Sequence, residues 1–322
     1  MLFDRFILIN LLLSDGTHGA LVTISSERVH CGFEIDKSID SEGDNGAEIW
    51  FYNPSQSTIN LLNAKTVGKS TVEVYCGYVQ NGSIEKIYTG DIVAPSVSND
   101  GGNTKVTIKS TIGYNASHAG NVSMTWANNT PLSQIVSEIA ALDMFTIKGA
   151  GDIVDRPITL EGKSFVNKVM GRGITCEGNP KIFLMELLRN TGHVVVDNGD
   201  VITIQTETQW KTGESRTIVL NSDTGMVGIP ELIASSEDQT TNEDLDIVQP
   251  KKGDSPIAPK VGYRAKGLIN TGAKLGDTVR LSSNILNIKD VMIKIESLNF
   301  SGSNYDNEYY TTYEGYIYDE SI

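Results

Sequence analysis

Alternation of apolar and polar residues dominates the first 126 positions. Ala47, Ile49 and Phe51 alternate with Glu48, Trp50 and Tyr52, the period that puts successive side chains on opposite faces of a sheet. Residues 47–52 therefore read as a strand, and the pattern stops at Asn53 and Pro54. Proline has no N–H for a strand ladder, while Asn53, Ser55 and Ser57 offer oxygens to the free N–H groups of a helix start. A short helix follows, with Ile59 and Leu62 on one face, the size of a plug that caps the open end of a small barrel. Elsewhere up to Trp126 the chain consists of short runs rich in Val, Ile, Thr and Tyr between clusters of Gly, Asn, Asp and Ser, which is the pattern of antiparallel strands. The run FILINLLL at 6–13 is preceded by Asp4, interrupted by Asn10 and followed by no small-x-small cleavage site. It reads as a first strand or strand pair, and it is too short to span a bilayer as a helix. Residues 70–93 carry two strands joined around Asn81 and Gly82, a pair suited to the positive φ angles of a type I′ turn. Val106 and Ile108 mark a further strand.

The period changes after Trp126. In NNTPLSQIVSEIAALDM, Thr130 stands as N-cap and Pro131 at the first helical position, with Leu132, Ile135, Val136 and Ile139 at helical spacing. NPKIFLMELLRNTG repeats the design with Asn179 as cap, Pro180 next, apolar positions through Leu188 and Gly192 as terminator. A weaker helical pattern lies at 163–171, and 193–205 reads as a hairpin over Asn198 and Gly199. Residues 127–210 thus form an α+β insert. Strand signals return after Lys211 and are interrupted by a loop at 236–260, which carries five acids between Glu237 and Asp246 and then prolines and lysines. The last strands are GDTVRLSS, DVMIKIESLNFSG and EYYTTYEGYIY, the final one with alternating aromatics. The expected fold is β-rich α+β: a first antiparallel β-barrel at 1–126, with 211–235 left open as its completion, the insert at 127–210, and a second β-barrel at 236–322. No tandem repeat or low-complexity tail interrupts this order.

Composition narrows the class. With 322 residues and 39% hydrophobic content the chain can bury two or three cores. Its 26 basic and 40 acidic residues give −14, which argues against a nucleic-acid binder that works by displacing phosphate counterions. Cys31, Cys76 and Cys176 are far apart and lack Cys-x-x-Cys spacing, so free buried thiols are expected rather than a zinc site or a disulfide framework. His18, His30, His118 and His193 are scattered without a partner at metal-ligand spacing. The glycine-rich segments at 149–152 and 171–178 lack the spacing and strand-to-helix context of a phosphate cradle. No Gly-x-Ser-x-Gly elbow is present. Paired carboxylates for glycoside hydrolysis cannot be read from spacing alone. Tyr305, Tyr309, Tyr310, Tyr313, Tyr316 and Tyr318 could offer a sugar-stacking platform, but alternation in a terminal strand accounts for them more simply. No residue is assigned a catalytic, cofactor-binding or metal-binding role, and no cofactor is needed.

Taken in order, AEIWFYNPSQSTINLL, VEVYCGY and IYTGDIV resemble the first barrel of baseplate hub proteins from contractile-tailed phages and related injection systems. GMVGIPEL, GLINTGAKLGDTVRLSS and IESLNFSGSNYDNEYYTT resemble the parts that return in the second half of that family. The sequence departs from the pattern at Asn270 and Thr271, where an Asn-Pro pair is expected, and in the acidic insertion. The resemblance implies a non-enzymatic structural virion protein of the tail baseplate, made in the host cytoplasm. It implies a homotrimeric ring in which two similar barrels per chain present six near-equivalent surfaces to a sixfold tail tube or tube initiator, while threefold symmetry is kept for a central spike. Other baseplate or tail-tip proteins are further partners, and DNA passes through a central channel without specific binding. Acidic walls would let a polyanion slide rather than stick, and unpaired strand edges would be satisfied by identical neighbours. One alternative is a carbohydrate- or receptor-binding tail module. The other is a peptidoglycan-cleaving hub enzyme, for which the chain left after two barrels and an insert is short.

Overall fold

The computed structural model describes residues 4–14, 19–39, 45–64, 70–82, 84–112, 122–142, 146–148, 155–157, 159–161, 169–178, 180–197, 201–206, 210, 215–235 and 260–317. The N-terminal strands are β1 (Arg5–Ser14), β2 (Gly19–Ser25), β3 (Cys31–Ser38) and β4 (Gly46–Tyr52). Helix α1 (Gln56–Ala64) follows, then β5 (Thr71–Tyr78), β6 (Glu85–Asp100) and β7 (Asn103–Thr111). The middle of the chain holds β8 (Val122–Trp126), α2 (Leu132–Ala140), β9 (Thr146–Lys148), β10 (Asp155–Pro157), β11 (Thr159–Glu161) and β12 (Ile174–Gly178). It continues through α3 (Pro180–Asn190), β13 (His193–Asp197) and β14 (Val201–Thr206). The last elements are β15 (Thr217–Leu220), β16 (Met226–Ser235), β17 (Lys260–Leu268), β18 (Thr278–Ser283), β19 (Ile288–Ser303) and β20 (Tyr309–Ile317). The chain is mostly antiparallel sheet with few helices, as its alternation predicts. Among the described residues two pairs are parallel instead, β11 with β14 and β15 with β18.

Both halves contribute to one thirteen-stranded sheet, in the order β16-β17-β20-β19-β3-β4-β7-β6-β5-β1-β2, with β18 on β19 and β15 on β18. Among the described residues this path does not close on itself. The two halves join through β19. Residues 288–294 of that strand lie in the stretch that pairs with β18, and 297–303 pair with β3, on either side of a bulge between Ile295 and Ser297. The strands of 215–235, β15 and β16, pair with β18 and β17.

One side of the sheet is apolar in strict alternation. Ile7, Ile9, Leu11, Phe33, Ile35, Ile49, Val72, Val74, Val106 and Ile108 meet Val279, Leu281, Ile295, Leu298, Phe300 and Tyr313 in a single buried cluster. Each such side chain contributes roughly 1.5–3 kcal/mol when removed from water. The middle segment has a separate core, in which Trp126, Leu132, Ile135, Ile139, Cys176, Leu184 and Leu188 pack α2 and α3 on β8 and β12. It is tied to the main sheet where Arg189 donates from Nη2 to the Ile39 carbonyl at 2.7 Å.

Local signals differ in how the chain uses them. Helix α1 forms where the Asn53-Pro54 junction places it, with φ of +51° at Asn53 and the Thr58 N–H donating to Ser55 Oγ. Thr130 does not cap α2: its hydroxyl donates back to the Ala127 carbonyl, and Pro131 holds the cap position without a side-chain bond. Gly192 ends α3 at φ +79°, in the left-handed region that glycine tolerates. The β5–β6 turn begins with a short 3-10 segment, Val79–Asn81, and among its described residues positive φ occurs at Gly82. The two-residue type I′ turn expected there is replaced because Val79 and Gln80 extend the connection. Strands β13 and β14 pair as a hairpin, while Asn198, Gly199, Asn179, most of 163–171 and the acidic stretch 237–246 lie outside the described residues.

Candidate assembly surface

The face of the sheet opposite the core is polar across the junction of the two halves. Asp36 stands opposite Asn299, Glu34 opposite Ser301 and Ser38 opposite Ser297 between β3 and β19. On the next strand Glu34 faces Glu48, and Glu48 faces Lys109 of β7. On the other flank Thr312 and Glu314 of β20 lie between β19 and the Lys266 and Arg264 of β17. Glu34, Asp36 and Glu48 are exposed. Asn299 donates to Asp36 Oδ1 at 2.7 Å, and Arg264 makes two bonds to Glu314 Oε2 at 2.6 and 2.8 Å, a charge-assisted contact that raises the guanidinium pKa. The direct Glu34–Glu48 juxtaposition is electrostatically unfavourable, since like charges opposite one another destabilise a strand pair. Along Glu34, Asp36, Ser38, Ser297, Asn299 and Ser301 the face holds hydroxyls, amides and carboxylates, while Lys109, Arg264 and Lys266 stand on the strands to either side.

Trp50 and Tyr52 on this face are met by a cation. The Trp50 ring crosses Gly32, its partner on β3, where any Cβ would collide with the indole. Lys105 Nζ sits 5.6 Å from the Trp50 ring centre and 5.8 Å from that of Tyr52. At the adjoining end of the sheet His30 stacks on Tyr52 with centroids 4.6 Å apart, and its Nε2 lies 3.9 Å from Asp306 Oδ2.

The residues singled out from the sequence do not gather into a reaction centre. His193 is buried with Nδ1 against Thr191 Oγ1 at 3.0 Å, far in sequence and environment from His30; His18 and His118 lie outside the described residues. Cys31, Cys76 and Cys176 are free and buried, and burial pushes the Cys31 thiol up to about 12, so the thiolate is suppressed. Among the described residues no cluster of three or more His, Cys, Asp or Glu could hold a metal. Gly149 and Asp152 are outside the described residues, while 171–178 lead into and form β12. The tyrosines alternate through β20 as a sheet strand requires: Tyr309 and Tyr313 are buried and Tyr310 and Tyr316 half-buried on the other face. Tyr305 alone, 76% exposed beside His30, is open to solvent among the described members of that group, so they do not form a common platform. Sequence reasoning missed Glu34, Glu48, Lys109, Arg264 and Glu314 as one surface. Each occupies the polar phase of its strand, and only the register between distant strands aligns them.

No protein-family model matches the sequence, and no curated protein matches it. Solved structures do. A tail protein from Neisseria meningitidis MC58 superposes with a TM-score of 0.60 over 98% of this chain and 97% of that one, at 11% identity. The 43 kDa tail protein of prophage MuSo2 from Shewanella oneidensis gives 0.56 over 96% and 98%, at 13% identity. An E. coli component of the type VI secretion system, itself structurally similar to the T4 bacteriophage tail proteins gp27 and gp5, gives 0.57 over 91% and 74%, at 11% identity. At such identities the likeness is one of fold, and the fold is that of phage tail and type VI secretion proteins. Among the described residues no helix is long and apolar enough to cross a membrane.

Proposed function

We propose that the chain is a structural, non-enzymatic hub of a phage tail or related injection device. Three copies form a ring between a sixfold tail tube and a threefold central spike, and DNA passes through its centre. In this reading the N-terminal strands through β7 and the C-terminal strands from β15 onward are the two similar barrel-like units. Each ring then offers six near-equivalent surfaces to the tube while remaining threefold towards the spike, and residues 127–210 project from the ring. Further tail-tip proteins bind around it, and the protein resides in the virion tail.

The observation that carries the reading is the continuous sheet across both halves, polar and acidic on the face turned away from the core. A polyanion moving along the junction meets carboxylates and hydroxyls, with the cations held on the strands to either side, so it finds little on which to condense there. The likeness of fold to phage tail proteins over nearly the whole chain supports the same reading.

Light scattering on the purified protein, with negative-stain class averages, tests it without assuming a ligand. The expected result is three times the 35.0 kDa chain mass and a threefold ring with a central hole. A strictly monomeric species at micromolar concentration, with no ring in the averages, overturns it.

A further inference from the structure

Three strands of the main sheet have a single partner among the described residues: β2, which pairs with β1, β16, which pairs with β17, and the four-residue β15, which pairs with β18 off the main path. Of these, β2 and β16 stand at the two ends of the same strand path. Exposed edges are ordinarily protected by charges, prolines or bulges. Strand β2 has none of these over GALVTIS, and its Leu21 is 66% exposed. On β16 a bulge between Val227 and Glu231, with Pro230 inside it, blocks the first part of the edge. The stretch 231–235 is regular, and Leu232 is 66% exposed.

The edges match face for face. On β2, Ile24 is buried in the core and Val22 packs against it, while Leu21 and Thr23 point the other way, Thr23 to Asn10 of β1. On β16, Leu232 is opposite Tyr263, which packs against the core, whereas Glu231 is opposite Arg264 on the polar face. Leu232 therefore lies on the core side of its sheet, uncovered among the described residues. On the core side of β2 there is an open cleft of about 450 Å3, lined by Val22, Ile24, Val29 and Phe51, and by Pro54 and Thr58 around the start of α1.

We propose that β16 of one copy pairs with β2 of the next, and that Leu232 enters the cleft beside Val22 and Ile24. The proposal rests on the ring reading and names its interface. Because two different edges meet, the contact is heterologous; each copy brings one of each, and closure of the ring leaves neither exposed. Extending the sheet in this way continues the apolar side of one copy into that of the next and the polar side likewise.

Disulfide trapping in the full chain distinguishes the partners. Leu21→Cys or Thr23→Cys is combined with Glu231→Cys or Ile233→Cys, all on the polar side of their strands; the three native cysteines are buried. After oxidation, at least one of the four double variants runs as a linked trimer on a denaturing, non-reducing gel, while the single variants run as monomers. Leu232→Asp, at an exposed position, converts the native trimer to a folded monomer with an unchanged circular dichroism spectrum. Linked dimers from L21C or T23C alone would mean that β2 meets β2, and overturn the proposal. So would a native trimer in which no double variant links above the single variants, or in which L232D remains trimeric; in both cases the ring stands and this interface does not. A monomeric wild type removes the ring reading itself, and this interface with it.

Discussion

Lys37 is a cation placed where the fold would be better served without one. Its ammonium donates to the Ile87 carbonyl at 2.8 Å and lies 5.7 Å from the centre of the Phe300 ring. Loss of water, with a smaller repulsion from Lys274, lowers its pKa to about 8. A native-state pKa below that of the unfolded chain means that the unfolded state binds more protons between about pH 8 and the ordinary lysine value, so the lysine's contribution to stability rises with pH across that window. Lys37→Met is expected to raise stability at pH 7 by about 1 kcal/mol, since a desolvated charge is replaced by an apolar chain of similar length. That gain should shrink as pH rises beyond 8. Thermal unfolding at pH 7 and pH 10 checks this, and a gain that stays the same at both would refute the desolvated-lysine account. In the sequence Lys37 continues the apolar phase of its strand after Phe33 and Ile35, but a lysine at a strand end gives no sign of what would cover it. Its burial comes from Phe300 and Ile87, on strands far along the chain.

At the scale of elements, the signals carried by a few consecutive residues were the readable ones. Alternation gave β1, β4, β7 and β20. The Asn53-Pro54 junction gave α1, and Pro180 with Gly192 bracketed α3. What could not be read was which strands meet, because period two is the same whichever neighbour a strand finds. Tyr309 shows the consequence. In the sequence it is one of several alternating tyrosines, yet its hydroxyl accepts from the Gly77 N–H at 2.9 Å and reaches the carbonyls of Phe6 at 2.9 Å and Gly77 at 2.8 Å. One phenol thus fastens β20 to β1 and β5, and burial holds it protonated by raising its pKa well above the usual phenolic range. Tyr309→Phe keeps the ring and strands a buried N–H, so a loss of about 1–3 kcal/mol is expected. Urea unfolding with an unchanged slope and a lower midpoint would show it; an unmoved midpoint would mean that Gly77 finds another partner.

For the whole molecule, net charge was legible at once and its distribution was not. Glu34, Asp36 and Glu48 come together on one face because β3 joins β19 and β4, an arrangement fixed by pairing rather than by composition. If that face lines a channel, the purified protein should not retard duplex DNA in a gel even at low salt. Glu34→Lys with Glu48→Lys should create retardation that disappears as salt rises, since each new cation displaces counterions from phosphate. Retardation by the unaltered protein would mean that the acidic face points elsewhere.

The junction between the halves also sets an order of events during synthesis. Strand β3 is made early, but its partner on one side, residues 297–303 of β19, lies more than 260 residues further along the chain, as the Asn299–Asp36 contact shows. At roughly 5–20 residues per second, the ribosome needs on the order of 10–50 s to deliver that partner. Until then β3 has an open side, and the N-terminal half is an unfinished sheet exposed to chaperones and to other nascent chains. Such long-range pairing is slow to form. Completion of the subunit is thereby tied to translation of its last strands, so a chain cut short before β19 cannot present the joined surface.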